Sequence, residues 1–292
     1  MIIRELLESG CIGLENAGID TPQLDAALLL GHCLKKSRTA LYLVAAEELD
    51  PESERKFLSL LKRRQQREPL AYILGMQEFW SLDFLVTPDV LIPRPETELL
   101  VDRAIALFRQ KTDGAGAILD LCTGSGVIAI VLAKELGHHV VAVDLSMEAL
   151  LVAKKNAIIH GVAHLISFVQ GDLLSAICPV PCFSLALSNP PYVSSQEMSL
   201  GLQPEVDRYE PHMALDGGDR GIVIIKKIRD QLLAMLLPGA DLLMEIGTEQ
   251  GDDVLALFAA KESGAAIFSD LRIEKDYSGH DRIFHGNSKV SA

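Results

Sequence analysis

Asn189-Pro190-Pro191-Tyr192 concentrates more chemistry than any other four residues of this sequence. Two consecutive prolines fix two φ angles and remove two backbone donors. What remains is a stiff turn rich in acceptors: the Asn189 side-chain oxygen and the Pro190 carbonyl, with the flat ring of Tyr192 beside them. A planar NH₂ group conjugated to a carbonyl or a ring is a poor nucleophile, because its lone pair is delocalised. Two acceptors that hold its hydrogens favour pyramidalisation as the nitrogen attacks. Carbonyl dipoles already in place then stabilise the developing positive charge more in the transition state than in the ground state. An aromatic ring stacked on the planar group orients it for in-line attack. The pattern therefore predicts Asn189, Pro190 and Tyr192 as catalytic residues, and Asn189, Pro190, Pro191 and Tyr192 as the site that holds the NH₂ group. The methyl donor would be the sulfonium of S-adenosylmethionine. No metal is needed, and no Ser-His-Asp or metal-binding constellation is visible in the sequence.

A second segment predicts where such a donor sits. Cys122-Thr123-Gly124-Ser125-Gly126 follows an apolar run and opens a helical pattern. Glycines let the backbone turn sharply and approach a ligand, and the helix N-terminus offers unpaired N–H groups. Gly124-x-Gly126-x-x-Ala129 also satisfies the loose dinucleotide fingerprint, which many α/β proteins carry. Asp144, twenty residues past Gly124 at the end of the next strand, can accept hydrogen bonds from both ribose hydroxyls. The plainer reading of Asp144 is a cap for the helix near Ser146. Asp172, inside Gly171-Asp172-Leu173, or its neighbour Leu173 is placed to meet an adenine, or Asp172 is a surface loop residue. Together these features point to an adenosine-containing ligand. They leave NAD and S-adenosylmethionine open until the Asn189–Tyr192 turn is added.

The elements that must position these residues follow from periodicity. Residues 1–75 read as helices. Thr21-Pro22 and Asp50-Pro51 are start signals, a capping residue followed by proline at the first helical position. Leu24, Leu28 and Leu29 share a face with Ala27 in the first of these helices. The second carries Phe57, Leu58, Leu60 and Leu61 together with Arg55, Lys56, Lys62, Arg63, Arg64 and Arg67, the densest basic cluster in the chain. That cluster reads as a solvated helix face or as a docking surface for an anionic partner. Residues 76–96 read as a β-hairpin followed by a connector that Pro88, Pro93 and Pro95 keep extended. Thr97 is placed to cap the next helix.

Beyond residue 97, apolar runs alternate with helical patterns. Strands are expected at 117–121, 139–143, 166–169, 183–188 and 240–246. Helices are expected at 126–136, 147–160, 220–236 and 250–261. Fully apolar strands indicate a parallel sheet covered on both faces. The last two runs, 267–275 and 282–286, lie too close in sequence for a crossover and predict an antiparallel hairpin.

With these residues in hand, the chain resembles the class I S-adenosylmethionine-dependent methyltransferases and, more closely, the HemK/PrmC family of release factor glutamine N5-methyltransferases. The resemblance covers nearly the whole chain. It includes Arg67-Glu68-Pro69-Leu70-Ala71-Tyr72-Ile73-Leu74-Gly75, Glu78-Phe79-Trp80 and Leu91-Ile92-Pro93-Arg94-Pro95-Glu96-Thr97-Glu98. It continues through the glycine loop, Ser188 to Tyr192, Tyr209-Glu210-Pro211 with Ala214-Leu215, and Lys275-Asp276-Tyr277. Asn-Pro-Pro-Tyr alone is shared with DNA and RNA adenine methyltransferases; its combination with Ile-Pro-Arg-Pro-Glu-Thr-Glu is far more specific. The resemblance implies a helical substrate-docking domain at 1–75 and a hairpin-and-connector at 76–96. It implies a seven-stranded methyltransferase domain at 97–292, an α/β Rossmann-like sheet ending in an antiparallel hairpin. It implies methylation of the glutamine in the Gly-Gly-Gln motif of peptide chain release factors. Cys122 to Gly126, Asp144, Leu173 and Asn189 match the family's cofactor positions. Cys122 departs from the usual glycine and fits if the backbone there keeps φ negative. Leu173 stands where an aromatic residue can occur.

Charge weighs on the choice of substrate. The 292 residues carry 27 Lys+Arg against 40 Asp+Glu, a net of −13. Residues 1–75 hold 10 Lys+Arg and 11 Asp+Glu, whereas residues 76–292 hold 17 and 29. An acidic catalytic part disfavours a nucleic-acid adenine methyltransferase, the main alternative, because it repels a phosphate backbone. An NAD-dependent oxidoreductase has no use for Asn-Pro-Pro-Tyr, and a non-catalytic adaptor is the third alternative. The five cysteines, at 11, 33, 122, 178 and 182, show no C-x-x-C spacing and read as free buried thiols in a reducing compartment. The start lacks a basic n-region with an apolar h-region, and the strongest apolar run, Val127 to Ala133, is too short to span a bilayer. The expectation is a cytoplasmic monomer whose partner is a release factor, with no membrane and no direct nucleic-acid contact.

Overall fold

The structure, a computed structural model, describes residues 1–111, 116–262 and 265–289. The chain divides into two compact units. One comprises Met1–Met76 with Gln203–Tyr209, and the other Gln77–Leu202 with Glu210–Ala292.

The first unit contains α1 (Ile3–Asn16), α2 (Pro22–Leu34), α3 (Arg38–Leu43), α4 (Pro51–Gln65) and α5 (Leu70–Leu74). Asp50 caps α4 as its sequence requires, with Oδ1 accepting from the backbone N–H groups of Glu52 and Ser53. Thr21 does not cap α2. Its hydroxyl instead donates to Asp25 Oδ1 at 2.8 Å, one turn into the helix. The buried stripe of α2 is Ala26, Ala27, Leu29 and Leu30, and Leu24 is exposed. These residues meet Leu6, Leu14, Phe57 and Leu61 in one apolar core.

The basic cluster is not a uniform solvated face. Arg64 is buried, donating from Nε to Asp25 at 2.7 Å and from Nη1 to Glu205 at 3.0 Å. Arg67 Nη2 reaches the other oxygen of Glu205 at 2.6 Å, and Arg63 pairs with Glu68 at 2.5 Å. Arg55, Lys56 and Lys62 remain exposed. Arg64 and Arg67 therefore fasten Gln203–Tyr209 to the helices, whereas Arg63 pairs with Glu68 and stays partly exposed.

The second unit runs, in chain order, β1 (Met76–Phe79), β2 (Leu82–Leu85), α6 (Glu96–Gln110), β3 (Ala117–Leu121), α7 (Val127–Leu136), β4 (Val140–Asp144), α8 (Met147–Ile159), β5 (Ile166–Gln170), β6 (Phe183–Ser188) and α9 (Ser195–Leu200). After α10 (Pro204–Tyr209), which belongs to the first unit, come α11 (Val223–Leu232), β7 (Leu236–Glu245), α12 (Gly251–Ala259), the two-residue strands β8 (Lys261–Glu262) and β9 (Ala265–Ala266), β10 (Phe268–Lys275) and β11 (Asp281–Ser288). Seven strands form one sheet in the order β10-β11-β7-β6-β3-β4-β5. β3 to β7 are mutually parallel, and β11 runs antiparallel to both β7 and β10. This is the expected α/β sheet with its C-terminal hairpin.

The alternation along each strand explains the double covering. Ile118, Leu185, Leu187 and Leu243 face a core shared with α6, α7 and α8. Leu119, Leu121, Ala186, Leu242 and Met244 face the opposite core, shared with α11 and α12. The apolar run Val127–Ala133 is buried throughout as α7, and no helix among the described residues is long and apolar enough to cross a membrane. The hairpin β1–β2 turns at Trp80 and Ser81, both at φ 56°, and buries Phe79 and Phe84. Residues 86–95 contain no helix or strand, as the prolines require. Thr97 does not cap α6. The helix begins at Glu96, and Thr97 lies inside its first turn, buried.

Helix α11 is shorter than expected. Arg220 and Gly221 take positive φ before it, and the chain is already extended as β7 from Leu236. The five cysteines are free, but Cys178 is exposed and the other four are only half-buried, so none is a fully buried thiol as its sequence context suggested.

Candidate active site

In an open α/β sheet, ligands lie beyond the carboxyl ends of the strands where strand order reverses. Here β3 is flanked by β4 on one side and β6 on the other, which makes that crevice. A cavity of about 350 Å³ opens there, a size that suits a small organic ligand. Of the sequence-predicted residues, Cys122, Thr123, Gly124, Ser125, Asp144, Asp172, Leu173, Asn189 and Pro191 line it. Gly126, Pro190 and Tyr192 lie outside the lining.

The glycine turn is held mostly by its own neighbours. Asp120, fully buried at the end of β3, accepts from Thr123 Oγ1 at 2.6 Å and from the Ala129 N–H at 3.1 Å through the same oxygen. It thereby satisfies a first-turn donor of α7, which begins after Gly126 at φ 84°. The other Asp120 oxygen has no partner, and burial pushes its carboxyl up to about 7. Asn156, also fully buried, donates from Nδ2 to the Ser125 carbonyl at 2.9 Å and to the Leu85 carbonyl at 3.0 Å, so it ties the turn to the hairpin.

Asp144 is not the cap of α8, which is Ser146; its carboxylate instead braces the glycine turn and the start of that cap. One oxygen accepts from the Gly124 N–H at 2.8 Å, and the other from the Ser146 N–H at 2.9 Å, where Ser146 caps α8. Burial raises its pKa against the pull of those backbone donors. Each oxygen keeps a second lone pair, so hydrogen bonds from a vicinal diol remain compatible with this geometry. Asp172 is exposed at the rim, and Leu173 is buried in the left-handed region at φ 54°.

Cys122 also takes a left-handed backbone, at φ 60°. The condition for an unstrained side chain there is not met, and the position carries the conformational cost that a glycine avoids. Burial pushes the Cys122 thiol up, and the nearby Asp144 carboxylate adds to the effect, so it is held as a neutral S–H.

The Asn189–Tyr192 turn is held by residues far away in sequence. Asn189 Nδ2 donates to Thr97 Oγ1 at 3.1 Å, and Thr97 Oγ1 donates to Glu245 Oε2 at 2.7 Å. Tyr192 donates its hydroxyl to the other oxygen, Glu245 Oε1, at 3.0 Å. Glu245 ends β7 fully buried. Burial raises its pKa, whereas the two hydroxyl donors and the Arg282 charge favour its ionised form. Burial, then the Glu245 charge, pushes the Tyr192 phenol up, so it stays a donor. Gln250 Nε2 donates to the Tyr192 carbonyl at 2.8 Å.

Gly217 and Gly221 pack against the same backbone. A Cβ on Gly217 would meet Tyr192 Cα at 2.8 Å, and one on Gly221 would meet the Tyr192 carbonyl oxygen at 2.1 Å. Arg94, left unassigned from sequence, lines the cavity and pairs with buried Glu210 at 2.5 Å, whose other oxygen accepts from the Ile92 N–H. Glu98 accepts from the Trp80 N–H at 2.8 Å, which ties the hairpin to α6.

Sequence reasoning missed Thr97 as an Asn189 partner, and it missed Glu245, Gln250, Asn156 and Asp120. For Glu245 a signal existed: a carboxylate at the end of the apolar run Leu242-Leu243-Met244 must be paired if buried. Among the described residues no cluster of His, Cys, Asp and Glu is arranged to hold a metal ion.

Comparison with known proteins adds to this picture. The PrmC N-terminal domain model matches residues 5–75, and the methyltransferase small domain model matches residues 97–236. A methyltransferase of known structure from Pyrococcus furiosus shares the fold, with a TM-score of 0.51 at 16% identity over 73% of this chain and 91% of that one. A release factor glutamine methyltransferase from Geobacter sulfurreducens is 39% identical over 97% of this chain and 96% of its own length. The protein of that name from Koribacter versatilis is 38% identical over the full length of both chains. The one from Vibrio cholerae is 38% identical over 99% and 97%. Similarity of that degree, end to end, shows that the chain belongs to the release factor glutamine methyltransferase family.

Proposed function

We propose that this protein transfers a methyl group from S-adenosylmethionine to the side-chain amide nitrogen, N5, of the glutamine in the Gly-Gly-Gln motif of peptide chain release factors. The observation that carries this reading is the hydrogen-bond commitment of Asn189. Its Nδ2 is tied to Thr97, so its Oδ1 is the atom left without a hydrogen-bond partner among the described residues, on a side chain that lines the cavity. The Pro190 carbonyl follows it in a turn whose prolines cannot donate. The Asn189 oxygen, with the Pro190 carbonyl as the second acceptor this reading requires, suits an NH₂ group that must lose planarity and favours the positive charge that develops on its nitrogen. The names of relatives 38–39% identical over nearly the full chain support a glutamine amide of a release factor as that group.

The residues present fit S-adenosylmethionine. The cavity has the volume for a small ligand, Asp144 retains lone pairs at its edge, and open space stands over Gly124. When bound, this cofactor supplies an electrophilic methyl group. Thr123 to Ser125 and Asp144 would hold it at the β3 and β4 ends, with Leu173 and Asp172 on the adenine side. Asn189 and Pro190 orient the substrate amide, and the product nitrogen then loses its extra proton to solvent. The Tyr192 hydroxyl is committed to Glu245, so its contribution to the substrate is its ring.

The test is a methyl-transfer assay with purified release factor and, in parallel, duplex DNA. Incorporation into the release factor, and none into DNA, is expected. Incorporation into DNA alone would transfer the same site to adenine chemistry and overturn the proposal.

A further inference from the structure

The hydrogen bonds behind Asn189 have a direction. A carboxylate can only accept. Glu245 therefore takes the hydrogens of both hydroxyls that reach it, Thr97 through Oε2 and Tyr192 through Oε1. Once the Thr97 hydrogen points at Glu245, only lone pairs of Oγ1 are left facing Asn189. An oxygen that offers lone pairs selects the NH₂ end of the amide, and Nδ2 is the atom found there at 3.1 Å. The amide oxygen is thereby turned to the other side. Glu245 fixes Thr97, Thr97 fixes Asn189, and the same carboxylate anchors Tyr192, immediately after the second proline. The whole chain of contacts spans α6, β6 and the end of β7, and its members are buried or partly buried, where an unmatched polar end is costly.

We propose that Thr97 and Glu245 are positioning residues for methyl transfer, forming a one-way hydrogen-bond relay that locks the Asn189 amide with Oδ1 toward the substrate. The inference rests on the function proposed above and deepens it: Thr97 lines the cavity, but its hydroxyl is committed to Glu245 and Asn189, so both residues act through Asn189. Without the relay the Asn189 side chain loses the partner that distinguishes its two ends. An Asn189 turned the other way presents a donor to an NH₂ group, which repels the substrate amide and leaves its developing charge unsupported. The relay also explains why a carboxylate is tolerated at the buried end of an apolar strand. A glutamine at position 245 has one accepting oxygen and one donating nitrogen, so it cannot accept from Thr97 and Tyr192 at once through separate ends.

Thr97→Val keeps the shape of the side chain and removes the relay; Thr97→Ser keeps the hydroxyl and removes only a methyl group. In steady-state methylation of release factor by the full-length protein, Thr97→Val is expected to lower kcat on the order of tenfold or more with KM little changed. That split marks an interaction realised in the transition state. Thr97→Ser is expected to recover most of that turnover. Glu245→Gln is expected to follow Thr97→Val in turnover; Thr97→Val should also lower the unfolding midpoint, because it leaves an oxygen of buried Glu245 without its donor, whereas Thr97→Ser should stay near the unmodified protein. A second readout is independent of turnover. In ¹⁵N-labelled protein, the Asn189 side-chain NH₂ resonances should move and exchange faster in Thr97→Val, but not in Thr97→Ser. Unchanged kcat and unchanged Asn189 resonances in Thr97→Val would overturn the relay, as would equal losses in the valine and serine variants. Should release factor prove not to be the substrate, the Asn189 resonances still decide the relay, so the two failures are distinguishable.

Discussion

The two turns that meet at the cavity are built in opposite ways. Cys122–Gly126 is held in part by residues within about one helical turn of it in sequence: Thr123 and Ala129 bond to Asp120, and the Gly126 N–H bonds to the Thr123 carbonyl, while the Thr123 N–H reaches the Val143 carbonyl of the next strand. Asp144 and Asn156 are the more distant contributors. Asn189–Tyr192 is stiffened locally by its prolines, but its side chains and carbonyls are aimed by Thr97, Glu245 and Gln250, more than fifty residues away. A turn that offers mainly backbone to a ligand is specified by local sequence. A turn that must present one end of an amide needs partners whose polarity is fixed elsewhere.

Several substitutions would break or sharpen that contrast. The largest effect is expected for Asn189→Ala, which removes the acceptor and should lower the methylation rate on the order of 10²- to 10³-fold in a release-factor assay. Loss of only a few-fold would mean that the amide is not the group that holds the substrate. Next is Gly221→Ala, where the new Cβ would meet the Tyr192 carbonyl oxygen at 2.1 Å on a backbone at φ 69°. It should cost about 3 kcal/mol or more in urea unfolding, because backbone must move. Its local counterpart, Gly124→Ala, meets nothing within 4 Å and carries only the left-handed cost, about 1 kcal/mol. Equal losses at the two glycines would remove the distinction between the turns.

The glycine turn also carries a pH signature. The Asp120 carboxyl is raised from 3.8 to about 7 in the folded protein by burial. The unfolded state therefore ionises first as pH rises. The stabilisation from this group is fully present below pH 3.8 and is lost as pH passes through about 7. Asp120→Asn cannot ionise, so it should gain on the unmodified protein between pH 4 and 8, by on the order of 2–4 kcal/mol in denaturant titrations. Parallel stability curves would show that Asp120 is not the buried acid. The smallest effect is expected for Cys122→Gly, which relieves a side chain at φ 60° but frees the unfolded chain, for a net gain of about 1 kcal/mol or less.

The contrast also sets what could be read before the fold was known. The parallel sheet, its helices and the terminal hairpin were legible because apolar periodicity is a local record of which faces are buried. The glycine turn and Asp144 were legible for the same reason, since they sit at fixed offsets from strand ends. Thr97 was misread as a helix cap, because a threonine at the start of a helical pattern has that local meaning. Its use as a partner of Asn189 depends on α6 crossing the end of the sheet. Arg64 looked like surface charge, because its acidic partners Asp25 and Glu205 lie far from it along the chain. Cys122 looked tolerable until its φ was known. Glu245 was missed although a carboxylate ending the apolar run Leu242-Leu243-Met244 calls for a buried partner, because nothing local says which.

The most direct test of the central claim, that the Asn189–Tyr192 turn holds a glutamine amide for methylation, is peptide-level mass spectrometry of release factor incubated with this protein and S-adenosylmethionine. One added methyl group on the glutamine of the Gly-Gly-Gln peptide is predicted, absent when Asn189→Ala replaces the unmodified protein. A methyl group on any other residue, or an unchanged yield with Asn189→Ala, would contradict it.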